Sequence, residues 1–212
     1  MKLYWVKTHR LIKKFFKGYV WDITSSPKTV YLTFDDGPVP EVTPWVLNLL
    51  QQHNIKATFF CIGNNIDKHP DTFAEVIAAG HSIGNHTYNH LNGWSTDNVT
   101  YLDNLKKCEA VITEKYKGLS KLFRPPYGKI KGSQAAIVRQ RGYKIIMWDV
   151  LTADFDQTIS PQKCLGNLTR NVTDGSIIIF HDSIKAQQNL RYALPKAIEY
   201  LKENNYGFGV LT

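Results

Sequence analysis

Residues 30–38 read Val-Tyr-Leu-Thr-Phe-Asp-Asp-Gly-Pro, and the reading of this stretch decides the fold. Val30 to Phe34 are β-branched, aromatic or aliphatic and carry no charge, the mark of a buried strand. Asp35 and Asp36 follow without a gap, and Gly37-Pro38 turns the chain at once. Two adjacent carboxylates at the tip of a buried strand are costly unless something positive sits beside them. A strand cap with solvated acids is the plainer alternative. On extended backbone the two side chains point in opposite directions, so one metal ion would take only one of them.

Outward from this strand, helical and extended patterns alternate to the C-terminus. Thr43-Pro44 offers an N-cap and a first-turn proline for a helix to about His53. A strand is expected over 57–62, a helix over 70–79 stopped by Gly80, and a short strand over 81–85. The longest helix is expected over 95–116, with Val99, Leu102, Leu105, Ile112 and Tyr116 on its inner side. Strands at 122–124, 143–148, 176–180 and 206–210 alternate with helices at 134–141, after Ser160-Pro161 and at 190–204. Seven strands alternating with helices imply an α/β fold with a parallel sheet covered on both faces, either a seven-stranded barrel or an open doubly wound sheet. Chemically capable residues fall just after strands, where parallel α/β folds build their sites.

The chain has 212 residues, 21% of them charged and 43% hydrophobic, which fits one soluble domain with a sizeable core. Its formal net charge of +8 favours an anionic partner such as a phosphate-bearing polymer, an acidic glycan or a membrane surface. No nucleic-acid-binding motif accompanies that charge. Cys61, Cys108 and Cys164 are odd in number and widely spaced, which argues for buried thiols rather than a disulfide framework.

Residues 1–27 form a basic leader ahead of a domain over 28–212. Its apolar run is broken by Lys13, Lys14 and Lys17, so it lacks a signal-peptide core, and no stretch reaches the length of a membrane span. A cytoplasmic or peripherally cell-associated protein is the expectation. Leu11, Ile12, Phe15, Phe16, Tyr19 and Val20 are spaced like one face of a short helix, which could dock on the domain or rest on an anionic membrane.

Several residues could carry chemistry. His86 and His90 stand four apart and would share a face in a helical turn, a spacing that suits one divalent ion but also occurs by chance on surfaces. With an acid from Asp35-Asp36 they make a His₂-Asp set, the open three-ligand pattern of catalytic rather than structural zinc. The other aspartate is then free to act as a base. Arg124 begins a stiff Pro125-Pro126-Tyr127-Gly128 turn and could pair with a carboxylate. Gly128 permits close backbone approach, so a nearby N–H could face a developing oxyanion. His181-Asp182 ends an apolar strand; His181 is either a satisfied core histidine or a general acid tuned by a carboxylate, with Asp154 a candidate and Asp149 and Asp156 nearby.

In this order, Thr33–Pro38, His86-x-x-x-His90, Arg124–Gly128, the Asp154 segment and Phe180-His181-Asp182 resemble the five motifs of the polysaccharide deacetylase family, carbohydrate esterase family four. The resemblance extends from about Val30 to the C-terminus. It implies a distorted (β/α) barrel and metal-dependent removal of N-acetyl groups from amino-sugar polymers such as peptidoglycan or chitin-like glycans, or of O-acetyl groups in some members. It further implies that Asp36, His86 and His90 hold one divalent ion, zinc above all, with cobalt or nickel fitting the same ligands. Asp35 would be the base, Arg124 its orienting partner, His181 the acid and Asp154 the residue that tunes it. Pro125, Tyr127 and Phe155 would meet substrate, with the Tyr127 backbone N–H on the oxyanion. Family members usually carry Trp where this chain has Phe155, which keeps the aromatic wall and loses an indole donor. A glycan-binding module without catalysis is the rival from another class. A two-metal phosphoesterase would need more ligands than the sequence offers.

Overall fold

A computed structural model describes residues 4–23, 27–118 and 121–212. The sheet is built from β1 (Tyr19–Val20), β2 (Thr29–Asp35), β3 (Thr58–Cys61), β4 (Ser82–Asn85), β5 (Leu122–Phe123), β6 (Lys144–Ile146), β7 (Val150–Leu151), β8 (Ile177–His181) and β9 (Gly207–Gly209). The helices are α1 (Arg10–Phe15), α2 (Thr43–Gln52), α3 (Gly63–Lys68), α4 (Pro70–Ala78), α5 (Asn98–Lys115), α6 (Gly132–Gln140), α7 (Pro161–Thr169) and α8 (Gln187–Glu203). Strand order is β1-β6-β5-β4-β3-β2-β8-β7, with β9 also on β2. Every pairing between these strands is parallel. The result is a curled α/β half-barrel, and the described residues hold nine strands where the sequence pattern suggests seven. The two extra ones, β1 and β7, are two-residue strands too short to leave a periodic signal.

Alternation along β2 shows how the sheet divides the core. Val30, Leu32 and Phe34 face the helices and join the main apolar cluster with α2, α4 and α8 side chains. Tyr31 faces inward and packs with Phe60, Leu122, Ile146 and Ile177. Thr33 and Asp35 share that inner face by period two, so Asp35 arrives at the upper end of the barrel interior. Burying one such aromatic or aliphatic side chain stabilises the fold by about 1.5–3 kcal/mol.

Between β6 and β7 the sheet would be open, and residues 4–23 fill that gap. Met147 N–H donates to Val20 O at 2.7 Å on one side, and Leu151 N–H donates to Val6 O at 2.8 Å on the other. Lys7 forms an antiparallel bridge with Val150. Lys7 and Lys13 both pair with the buried Asp149 carboxylate. The segment expected to be a leader is therefore continuous with the sheet over its described residues.

Some local expectations need correction. Thr43 is the first residue of α2 rather than its cap, because its hydroxyl instead donates to Asp182 Oδ2 at 2.6 Å and accepts from Val39 N–H. Asp97 caps α5 by accepting from Thr100 N–H at 2.9 Å, which starts that helix at Asn98 and leaves Val99 facing solvent at 71% exposure. The helix expected over 134–141 starts at Gly132, with Lys131 at its cap and Ser133 bonded to Asn98.

Candidate active site

Parallel strands deliver their C-terminal ends to one rim, and the site is assembled there. β2 ends at Asp35, and Asp36 follows with φ 80°. That left-handed residue, not strand alternation, parts the two carboxylates. Asp35 stays inside the barrel, and Asp36 swings toward the loop after β4. His86 and His90 meet it there, but no helical turn brings them together. Residues 86–92 are irregular, with φ 64° at Thr87 and φ 55° at His90. Asn104 from α5 pins the bend by accepting from Tyr88 and Asn89 N–H at 2.9 and 2.8 Å. Five of the eight non-glycine residues with positive φ in the described chain lie around the site: Asp36, Thr87, His90, Tyr127 and Ala153. Each such residue costs about 1–2 kcal/mol, a strain the surrounding packing sustains.

Asp36, His86 and His90 present an oxygen and two imidazole nitrogens that lie within 4.8 Å of one another. Asp36 Oδ1 is 3.6 Å from His86 Nε2 and 3.2 Å from His90 Nε2, and it is buried without a hydrogen bond of good geometry. The far nitrogen of each ring is occupied. His86 Nδ1 lies 2.7 Å from the Arg124 carbonyl, and His90 Nδ1 lies 3.1 Å from the Tyr127 hydroxyl. A carbonyl only accepts, so His86 carries its proton on Nδ1 and turns a bare Nε2 inward. Burial pushes His86 down to about 4, which keeps the ring neutral as a ligand must be. Burial also pushes Asp36 up, but His90, His181 and His86 outweigh it and hold the carboxyl well below the usual range. An anionic oxygen left without a hydrogen bond, beside a neutral imidazole that turns a bare nitrogen toward it, fits a borderline divalent cation.

Arg124 is fully buried just beyond β5. Its Nη1 donates to Asp35 Oδ1 at 2.6 Å and to Thr33 Oγ1 at 2.8 Å, and its Nη2 donates to the Met147 carbonyl at 3.0 Å. Its guanidinium lies over the Phe60 ring at 4.1 Å. Asp35 is thereby fixed by one oxygen. On the neighbouring strand His181 is the register partner of Asp35. Asp154 receives His181 twice, at 2.7 Å from the backbone N–H and at 2.7 Å from Nδ1. Burial alone would push His181 down, yet the charge and hydrogen bond of Asp154, with Asp36 and Asp35 beyond, raise it to about 9. Of the neighbouring acids, Asp149 is held by Lys7, Lys13 and Ser176, and Asp156 by Tyr4 and Thr158. Neither takes the place of Asp154.

A sequence profile of the polysaccharide deacetylase family matches residues 22–146. The chain belongs to the polysaccharide deacetylase family. A peptidoglycan-N-acetylglucosamine deacetylase of Bacillus cereus is 37% identical to it over 183 residues, which cover 86% of this chain and 66% of that protein. A solved peptidoglycan N-acetylglucosamine deacetylase in complex with a naphthalenyl N-hydroxybenzamide superposes with a TM-score of 0.87 at 34% identity, over 92% of this chain and 91% of the other. A pseudoenzyme of carbohydrate esterase family 4 from Bacillus anthracis is similar as well, with a TM-score of 0.81 and 27% identity over 90% of this chain and 66% of that one.

In this family member, Tyr127 stands exposed with φ 60° above His90, and Phe155 packs edge-on against His181 at 5.0 Å between ring centres. Pro125 is buried, and its carbonyl closes the turn by accepting from Gly128 N–H at 2.9 Å. Gly128 serves packing: a Cβ there would lie 2.4 Å from the Trp148 ring. Sequence reasoning gave Asp182 no role of its own; it receives Gly37 N–H at 3.1 Å, and burial raises its carboxyl to about 8. The Phe180-His181-Asp182 motif marked its place, and nothing local marked its partner across the sheet. Trp148 and Trp94, which wall the cleft beside Tyr127, left no signal in local pattern.

Proposed function

We propose that this chain is a divalent-metal-dependent hydrolase that removes N-acetyl groups from the amino sugars of a peptidoglycan-like or chitin-like glycan. The observation that carries it is the meeting of three pairings at one rim: the Asp36–His86–His90 donor set, the Asp35–Arg124 pair and the His181–Asp154 pair. The similarity to peptidoglycan deacetylases supports the choice of substrate class. A pseudoenzyme is similar as well, so the likeness alone does not decide for catalysis; the three pairings in this chain favour a working site.

Asp36, His86 and His90 would hold the ion, with zinc the best match to two imidazoles and a carboxylate. When bound, it supplies Lewis-acid polarisation of the acetyl carbonyl and makes a water more acidic. Asp35 takes the proton from the attacking water, and Arg124 keeps its carboxylate aimed. The backbone N–H of Tyr127 faces the oxygen that gains charge. His181, held through Nδ1 by Asp154, gives its Nε2 proton to the departing nitrogen as the C–N bond breaks. Acetate and a free amine leave. Phe155 lines the pocket without donating a hydrogen bond.

Incubation with peptidoglycan fragments and with N-acetylglucosamine oligomers, followed by mass spectrometry, tests the reading. Loss of acetyl that stops on chelation and returns with zinc is expected. Acetate release only from O-acetylated polymers would move the substrate to an ester, and no release from any would leave a glycan-binding module.

A further inference from the structure

Beside the site, residues 4–23 carry an apolar surface that the chemistry above does not use. A groove of about 580 Å³ runs from Tyr127 and Trp148 past Trp94 to Trp5, Ile12 and Phe16. Its rim is exposed: Trp5 by 61%, Phe16 by 51%, Trp94 by 62%. On α1, Leu11 and Phe15 stand one turn apart and face outward, Phe15 with 82% of its surface in water. Arg10, Lys14 and Lys17 are exposed around them. Residues 4–21 contain five Lys or Arg and no Asp or Glu. Lys7 and Lys13 point inward to Asp149, leaving the other three free to meet a partner.

We propose that this face seats the protein on an anionic lipid surface, with α1 and Trp5 dipping into the interface. The composition matches such a surface: aromatic and aliphatic side chains to enter the headgroup region, ringed by cations to meet lipid phosphates. No described helix is long and apolar enough to cross a membrane, so the contact lies on the surface rather than through it. A glycan strand is the weaker occupant. Sugar recognition needs free polar partners beside its aromatic platforms, whereas the polar atoms of Tyr4, Thr8, Trp21, Trp94 and Tyr127 in this lining are already bonded within the protein, to Asp156, Trp148, Phe16, Ile130 and His90. Leu11 and Phe15 also point away from the groove, where no docked sugar would reach them. Since the groove ends at Tyr127, seating this face would hold the catalytic rim at the lipid surface. The proposal does not depend on the hydrolysis assigned to the site.

The test is co-sedimentation of the full, metal-loaded chain with vesicles of phosphatidylcholine containing about one third phosphatidylglycerol, against phosphatidylcholine alone. Wild type should sediment with the anionic vesicles and shift its tryptophan emission to the blue. Leu11→Ser with Phe15→Ser leaves the charge unchanged and touches only exposed side chains. It should weaken partition about tenfold or more while circular dichroism and turnover of a soluble acetylated oligomer stay as in wild type. Lys14→Gln with Lys17→Gln should weaken it as well, more so at low salt. Equal binding by wild type and the Leu11/Phe15 variant would overturn the proposal, since net charge alone would then explain the contact. Absence of vesicle binding would overturn it too, as would concentration-dependent dimerisation, or retention on an insoluble glycan, that the same variant abolishes.

Discussion

Asp35 and Asp36 are neighbours of identical chemistry given different partners by one backbone angle. The positive φ at Asp36 sends its carboxylate to the two histidines, while Asp35 remains in the barrel against Arg124. The roles separate in a metal assay. Asp35→Asn should keep close to one equivalent of zinc and lose about 10²–10⁴-fold in kcat, the range for removing a general base. Asp36→Ala should lose metal and activity together; metal contents in the opposite order would exchange the two roles. A second residue-scale prediction concerns His181. The Asp154 charge is the main influence raising it to about 9, so Asp154→Asn should move the basic limb of the kcat profile to lower pH by about 1–3 pH units. The direction follows from the assigned role, because an acid must be protonated and a lower pKa empties it sooner as pH rises. A bound dication lowers the wild-type limb too, so the comparison is made between metal-loaded proteins. An unmoved limb would mean that another group sets it. Most motif residues were legible in the sequence because Asp35, Asp36, His86, Arg124 and His181 sit at or just after strand ends. The left-handed angles that aim Asp36 and His90 were not, since neither residue announces such an angle as glycine would.

At the scale of elements, the Arg124–Gly128 turn couples the rim of the proposed site to β6 and the residues just after it. Gly128 has φ 67° and leaves no room for a Cβ beside Trp148. Gly128→Ala should therefore strain the backbone and push the Trp148 ring, costing about 1–3 kcal/mol in denaturant unfolding. Because Tyr127 is the adjacent residue, kcat should fall with little change in KM or in metal content. Loss of metal instead would mean that the turn supports the histidines more than the oxyanion. The same element shows the limit of pattern reading. The Pro-Pro-Tyr-Gly string marks a tight turn, but the partner that demands glycine lies 20 residues on, in a connection whose strand β7 is two residues long. The early strands and helices were legible because their apolar periods are long, and the boundaries that moved were those where a side chain served a distant partner, as Thr43 serves Asp182.

For the molecule as a whole, the N-terminal segment closes the sheet, and one buried charge anchors it. The Asp149 carboxylate is 1% exposed and takes Lys7, Lys13 and Ser176. Nothing in residues 4–23 foretold this, since a lysine bound for a carboxylate 136 positions away reads the same as a solvated one. Burial pushes Asp149 up, but the hydrogen bonds and charges of Lys13 and Lys7 win and hold it below its ordinary value. A depressed folded-state pKa contributes stability above the unfolded pKa of about 4 and loses it as pH falls through the folded value. Replacing both lysines, Lys7→Ala with Lys13→Ala, leaves a buried carboxylate without cations and should cost about 3–5 kcal/mol at neutral pH. In that variant burial dominates, so Asp149 binds a proton more readily in the folded state than in the unfolded one. Acid then relieves the variant while it weakens the wild type. The stability difference, measured by urea unfolding from about pH 7 to about pH 4, should narrow steadily toward acid. A difference that stayed constant across that range would mean that the lysines hold the segment by packing alone, and that Asp149 is not the charge that closes the sheet.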